Sequence, residues 1–403
     1  METDSPDEWA ARAAELLPTG ASTGSKRPEA LYGTTEHAGP THFARASGCR
    51  IETTDGEELV DCTMALGAVA IGYAEPTITR KVLDTIAAGS VSGLSHVLEV
   101  EVAERFCNVV PCAERVQFLK TGAEAMSAAI RVARAYTGRD VVIGSGYFGW
   151  HDWCSSQPGV PASVRRDFHD MPFDDVQALE KAVNDAGDRL AAIVIEPVVE
   201  KMASPEWIAK ARALCDANGA ALIFDEMKTG FRLATGGYQQ LSGVTPDLAA
   251  FGKALANGFP LAAVCGKAEL MDTLKKTWIS STLASEGSAL AAAMGVLDWH
   301  ESAEVCEELA RIGAEMRALV SGALKASGLS GVSMHGIDQM WFMKFESPGA
   351  EQRFVSLAAE HGALFKRGAY NFAALAHDED ALVDIEAAAS NAFVQMRQDE
   401  EEE

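Results

Sequence analysis

The sequence predicts an α/β protein: a large domain on a mostly parallel sheet, with a smaller α+β domain assembled from both chain ends. Two observations carry this. Between about residues 64 and 295, short apolar runs alternate with helical patterns, as in a parallel sheet with covering helices. The flanking segments each contain few such runs, so neither has much core alone and the two are expected to combine. The expected boundaries are 1–63 and 296–403 for the small domain and 64–295 for the large one.

The elements follow in chain order. The opening "METDSPDEWAARAAELL" is acidic and amphipathic, and residues up to 60 are rich in Gly, Thr and Pro. "IETTDGEELVDCT" reads as a hairpin with Asp55-Gly56 at its turn. The strand-like runs of the large domain are "VQFL", "VVIG", "AAIVIEP", "ALIFDE", "LAAFGK" and "LAAVCG". Helices lie between several of them, such as "EAMSAAIRVARAYTG", whose Met126, Ile130 and Ala133 share one face. After 295 come a long helix, the strand "MWFMKFE", the strand-like "ALFKRG" and a final amphipathic helix.

Bulk properties narrow the function. The 403 residues are 48% hydrophobic and 23% charged, an ordinary globular composition with length for more than one domain. A net charge of −24 argues against nucleic acid or an anionic membrane as partner, and the terminal "RQDEEEE" reads as a solvated tail. Eight scattered cysteines without a C-x-x-C predict free thiols rather than a disulfide framework or a metal site. The N-terminus does not read as a secretory signal, and no apolar run approaches the roughly 18 residues of a membrane span. A cytoplasmic protein is expected.

Gly144-Ser-Gly146-Tyr-Phe-Gly149 follows a strand-like run and spells G-x-G-x-x-G. A dinucleotide site needs a helix opening at the third glycine, and "WHDWCSSQP" has no helical period, so that reading fails. A better anion site is Thr121-Gly122-Ala123, between a strand and a helix expected to open near Glu124. Three further strands end in Glu196, Asp225 and Lys253. Ligands of open α/β sheets sit beyond the carboxyl ends of the strands. A lysine and a carboxylate there suit pyridoxal phosphate, which needs an amine for its aldehyde and an acid to keep its ring nitrogen protonated. The alternative is a structural Asp–Lys ion pair.

"LIFDEMKTGFR" followed by "TPDLAAFGKALANGFPLAAVCG" resembles the signature of class III pyridoxal-phosphate aminotransferases, within them the glutamate-1-semialdehyde aminomutase branch. The likeness runs from "LPTGASTGSKR" to "LAHDEDALVDIEAA". It implies fold type I and a homodimer with shared active sites. It also implies residue roles. Lys253 would bind the cofactor aldehyde and then move the proton; Asp225 would pair with the ring nitrogen, with Glu196 supporting it. Gly122 and Ala123 would donate to the phosphate, Ala123 standing where the family usually has a hydroxyl residue. Thr282, in "WISSTLASEGSALAAA", would reach the phosphate of the partner subunit. "YFGWHDW" matches the family's Tyr-His-Gly turn, so Tyr147 would stack on the cofactor ring, with Phe148 in place of the usual His.

The departures bear on the substrate. The aminomutases carry a long glycine-rich gating loop where "CSSQPGVPASVRRDFHDMPFDD" is markedly shorter, and this chain lacks their insertion before "LAH". Their Asn after "EPVV" aligns with Lys201, beside Glu200. Arg27 stands about where the family has an arginine for a substrate carboxylate, with Arg367 a weaker candidate and a surface role the alternative. The expected activity is amino transfer from a small-molecule donor, L-glutamate, to a carbonyl acceptor. An oxidised amino sugar of aminoglycoside assembly is the preferred acceptor. Aminomutase and amine-carbon epimerase activities are the alternatives.

Overall fold

The computed structural model describes residues 6–34 and 39–402, which divide by their contacts into two units. One is Pro76–Cys306; the other joins the chain up to Glu75 to the chain from Glu307. These divisions fall near, but not at, the boundaries expected from the sequence.

Pro76–Cys306 is built on a seven-stranded sheet. Its spatial order is Arg115–Leu119, Ala262–Gly266, Leu248–Phe251, Ala221–Asp225, Leu190–Ile195, Val141–Ser145 and Phe168–Asp170. Every expected run is a strand, and all are parallel except Ala262–Gly266, which runs antiparallel to both neighbours. The runs are continuously apolar because both faces of the sheet are covered. Met126 and Ile130 of the helix Gly122–Thr137 pack over Val142, Val194 and Ile223; Trp207 and Ile208 of the helix Pro205–Asn218 pack over Ile143, Ile193 and Leu222 on the other face. The edge strand Phe168–Asp170 was not anticipated: three residues are too few to display a period. The single helix expected after 295 is two, Gly287–Ser302 and Val305–Ser327, separated by the extended Ala303.

In the other unit the expected hairpin is present as Arg50–Thr53 and Glu58–Asp61, with Gly56 at φ +89° in its turn. Ala363–Leu364 pairs in parallel with Glu58–Asp61, so one sheet takes strands from both chain ends. A second sheet combines Val332–Ile337, Met340–Phe345 and Asn371–Phe372. The last helix, Glu379–Glu402, carries most of the acidic tail, whose final side chains lie outside the described residues.

Candidate active site

The carboxyl ends of the parallel strands deliver Lys120-Thr121, Gly146-Tyr147, Glu196, Asp225 and Gly252-Lys253 to one rim of the sheet. The strand bearing Asp225 lies between those leading to Lys253 and Glu196, so these three are brought together by sheet order alone.

Asp225 and Glu226 end one strand with opposite orientations, as the period of two requires. Glu226 is buried and structural: its carboxylate accepts from the Tyr238 N–H at 2.8 Å, the Gln239 N–H at 3.0 Å and the Thr229 hydroxyl. Asp225, also buried, accepts the Met227 N–H at 3.0 Å. Burial, then the negative charge of Glu196, pushes its carboxyl well above the usual range, although Lys253 and Lys228 oppose this. A site with a cation to offer would relieve that cost.

Lys253 follows the strand Leu248–Phe251 and has φ +49°, a left-handed conformation that costs a side-chain-bearing residue energy and is often retained at functional positions. Burial, then the Lys228 ammonium, pulls its amine below an ordinary lysine's range, against the pull of Asp225 and Glu196. Glu196 is held from two sides: Lys228 Nζ lies 2.7 Å from one oxygen, and the Tyr147 N–H donates to the other at 3.1 Å.

The helix Gly122–Thr137 opens with a full capping box. Thr121 Oγ1 accepts from the Glu124 N–H at 3.2 Å, and Glu124 Oε2 accepts from the amides of Lys120 and Thr121 at 3.0 and 2.9 Å. This leaves the Gly122 and Ala123 amides, first in the helix and without a carbonyl four residues back, as its anion-facing donors. Thr121 therefore caps, and the helix begins two residues before the expected Glu124.

The turn at 146–149 contains no helix, which disposes of the dinucleotide reading structurally as well. Gly149, at φ +98°, lies against the start of the capped helix: a Cβ there would stand 2.7 Å from Ala123 Cβ. Gly146, at φ +137°, lies against Glu196, whose Cβ would be 2.4 Å from an added methyl. Tyr147 in this turn is 72% exposed, while Phe148 is buried with Trp153 and Phe168. The apolar replacement of histidine thus packs into the core behind the turn.

The remaining sequence candidates are placed differently. Lys201 is exposed and pairs with the buried Asp174 carboxylate, which also accepts the Ser204 N–H at 2.9 Å. Its ammonium is therefore already engaged in holding a loop. Arg27, in the other unit, precedes the short helix Pro28–Tyr32, and its buried Nε has no hydrogen-bond partner among the described residues. Arg367 is committed to that unit's own structure, donating to the Glu29 carbonyl at 3.1 Å and standing 3.8 Å from Glu351. Thr282 lines a surface cavity of about 200 Å³ with Ser285 and the segment 89–96. His151 bonds Ser127 Oγ at 2.7 Å. Lys228 escaped the sequence reading, although its place three residues after a strand-end acid within a motif was the available signal.

Pyridoxal phosphate fits this donor set. The helix start supplies two amides for a phosphate, Lys253 an amine for an aldehyde, Asp225 a buried carboxylate for a ring cation, and Tyr147 an exposed aromatic face.

Comparison with known proteins agrees. The family model of class III aminotransferases matches residues 32–375. The chain is 31% identical to a 3-aminobutyryl-CoA aminotransferase of Cloacimonas acidaminovorans over 391 residues, 93% of each protein. It is 32% identical to a glutamate-1-semialdehyde 2,1-aminomutase of Syntrophobacter fumaroxidans, covering 89% of this chain and 91% of that one. The solved FumI protein of Sphingopyxis sp. MTA144, which carries pyridoxal phosphate, superposes with a TM-score of 0.93 at 26% identity, over 98% and 97% of the two chains. With that match and this fold, the chain belongs to the class III aminotransferases, pyridoxal-phosphate-dependent enzymes of fold type I.

Proposed function

We propose that this aminotransferase moves the amino group of L-glutamate to an aldehyde or ketone in a ping-pong cycle, the acceptor being an oxidised amino sugar. The observation that carries the catalytic part is the convergence of Lys253, Asp225 and Glu196 on adjacent strand ends. When bound, pyridoxal phosphate supplies a ring that stabilises negative charge at the carbon losing its proton. The protein's part is to hold and move protons. Lys253 Nζ takes the proton from the substrate carbon and returns it. Asp225 keeps the ring nitrogen protonated, and the Gly122 and Ala123 amides orient the phosphate. Tyr147 offers its face to the ring. Arg27 remains the candidate for the donor carboxylate on its sequence position, and its buried Nε has no hydrogen-bond partner among the described residues.

The acceptor part rests on chemistry at the outer turn. Tyr147 and Trp150 are each 72% exposed and border a pocket of about 300 Å³ that also contains Gln157 and Asp170. Aromatic faces with a carboxylate suit an amine-bearing ring. The net charge of −24 would draw a polycation toward the protein. A cytoplasmic setting belongs to the same reading, supported by eight free thiols.

We further read the enzyme as a homodimer. The helices Pro76–Ala88 and Val97–Val109 and the loop between them expose Leu83, Ile86, Val91, Leu94, Val97 and Val100. Such a patch suits a second copy. Thr282 lines a cavity with that same loop, which supports its reaching the partner's phosphate.

The test is the absorbance of the holoenzyme before and after L-glutamate without acceptor, followed by oxidised aminoglycosides. Conversion of the cofactor by glutamate and its recovery by the oxidised sugar are expected; no conversion would overturn the donor. A second reading, glutamate-1-semialdehyde rearrangement, is favoured by the similarity to the aminomutase relative over 89% of this chain. It predicts turnover of that substrate alone and no response to glutamate. 3-Aminobutyryl-CoA belongs in the same panel.

A further inference from the structure

The rim holds a second lysine with no part in the expected chemistry. Lys228 and Glu196 keep only 11% and 8% of their side chains exposed, and their ion pair spans 2.7 Å. Through Glu196 the pair reaches the Tyr147 amide, 3.1 Å from the other carboxylate oxygen. Three strand ends, those leading to Asp225, Glu196 and Tyr147, are therefore tied by one cation and one carboxylate. A buried carboxylate left without that cation would be costly, the more so beside Asp225.

We propose that Lys228 is a positioning residue of the site: its ammonium holds Glu196 beneath the Tyr147 turn and sets a fixed positive charge on the strand end beside that of Lys253, favouring capture of the cofactor by the neutral amine.

Burial disfavours a charge on Lys253 most, and the Lys228 and Arg232 cations add to it, while Asp225 and Glu196 oppose them. A neighbouring cation, together with desolvation, is a general way to make a lysine nucleophilic at neutral pH. The chemistry explains why this matters. Capture uses the Nζ lone pair: a C=N bond forms, and the two amine hydrogens leave with the carbonyl oxygen as water. An ammonium cannot begin that step.

The inference rests on Lys253 being the capturing lysine, and the experiment separates the two ideas. The cofactor is stripped from the full-length enzyme and pyridoxal phosphate is added back across pH. Capture is read as the rate of borohydride-trapped adduct, located by mass spectrometry. Wild type should show a midpoint at least one unit below the roughly 10.4 of an ordinary lysine. Lys228→Met should raise the midpoint by about one unit and slow capture near pH 7 about tenfold. Lys228→Arg, which keeps the cation, should stay near wild type, and hydrogen exchange at the Tyr147 amide should quicken only in Lys228→Met. A wild-type midpoint at the ordinary lysine value overturns the proposal without requiring any variant to fold. So does an unchanged midpoint in folded Lys228→Met, or Lys228→Arg behaving like Lys228→Met. Unaltered capture by Lys253→Ala would instead overturn the assignment of Lys253 itself.

Discussion

Ala123→Ser restores a hydroxyl at a position where this chain lacks one, and its effect can be worked from the helix start. Four amides precede the first helical carbonyl partner. Of these amides, Thr121 to Glu124, the first donates to Glu124 Oε2 at 2.9 Å and the last to Thr121 Oγ1 at 3.2 Å, leaving Gly122 and Ala123 as the proposed phosphate donors. A serine hydroxyl adds a third. A hydrogen bond to a charged group is worth roughly 1.5–3 kcal/mol, and ordering the hydroxyl and removing its water costs about 1 kcal/mol. The net gain is about 0.5–2 kcal/mol, roughly a two- to thirtyfold tighter Kd. Serine is the right size: Gly149 lies against Ala123, and a bulkier threonine would press on the turn. The assay is fluorescence titration of cofactor-free enzyme with pyridoxal phosphate and, in parallel, with pyridoxal. The gain should be confined to the phosphorylated ligand. Equal tightening of both, or no tightening in a folded variant, would refute the phosphate assignment of this helix end.

Three other outcomes are expected. Asp225→Asn should slow the glutamate half-reaction by on the order of a hundredfold or more, because a fixed charge at the developing centre is lost, and stopped-flow absorbance measures it. Leu94→Glu places a charge on the exposed apolar face of Pro76–Cys306 and should convert the proposed dimer to monomer in sedimentation, with loss of amino transfer; a dimer of unchanged strength would exclude that face. His300, edge-on to Phe231 at 5.2 Å and bonded to Thr235 at 3.0 Å, is held by burial at about 4, below the 6.5 of a free imidazole. Its native state resists protonation, so this contribution is intact above about pH 6.5 and is lost as pH falls toward 4, with about 2 kcal/mol gone by pH 5. His300→Gln should flatten the decline of the melting temperature between pH 7 and 5.

Much of the candidate site was legible because parallel strands announce themselves. A strand buried on both faces reads as an unbroken apolar run, and its last residue marks the ligand side. "AAIVIEP", "ALIFDE" and "LAAFGK" therefore delivered Glu196, Asp225 and Lys253 without any knowledge of spatial order. Strand direction was not legible: nothing local in "LAAVCG" says that Ala262–Gly266 enters antiparallel between two parallel neighbours. Phe168–Asp170 was too short to show a period. Lys228 was hidden for a different reason. Beyond Asp225 the chain turns, the Met227 amide folding back to the carboxylate, so neither strand nor helix spacing says where the lysine points. Lys201 was a substrate candidate because it aligns with the aminomutases' Asn after "EPVV"; in the structure its ammonium pairs with Asp174.

The residues where this chain departs from its family bear on one another through the same turn. Phe148 carries no polar group into the apolar wall formed with Trp153 and Phe168, where an imidazole would need a partner to offset its burial. Polar support for the turn comes from the opposite side, where Glu196 receives the Tyr147 amide and Lys228 holds Glu196. Ala123 completes the arrangement, because its small side chain admits Gly149 and so sets the turn against the phosphate-facing helix. The turn is thus held from three directions: apolar packing behind it, an ion pair beneath it and a close approach at its end. Functional exchange in this corner should therefore be coupled, and the fixed partners to which it answers are Asp225 and Lys253, whose positions are set by the sheet.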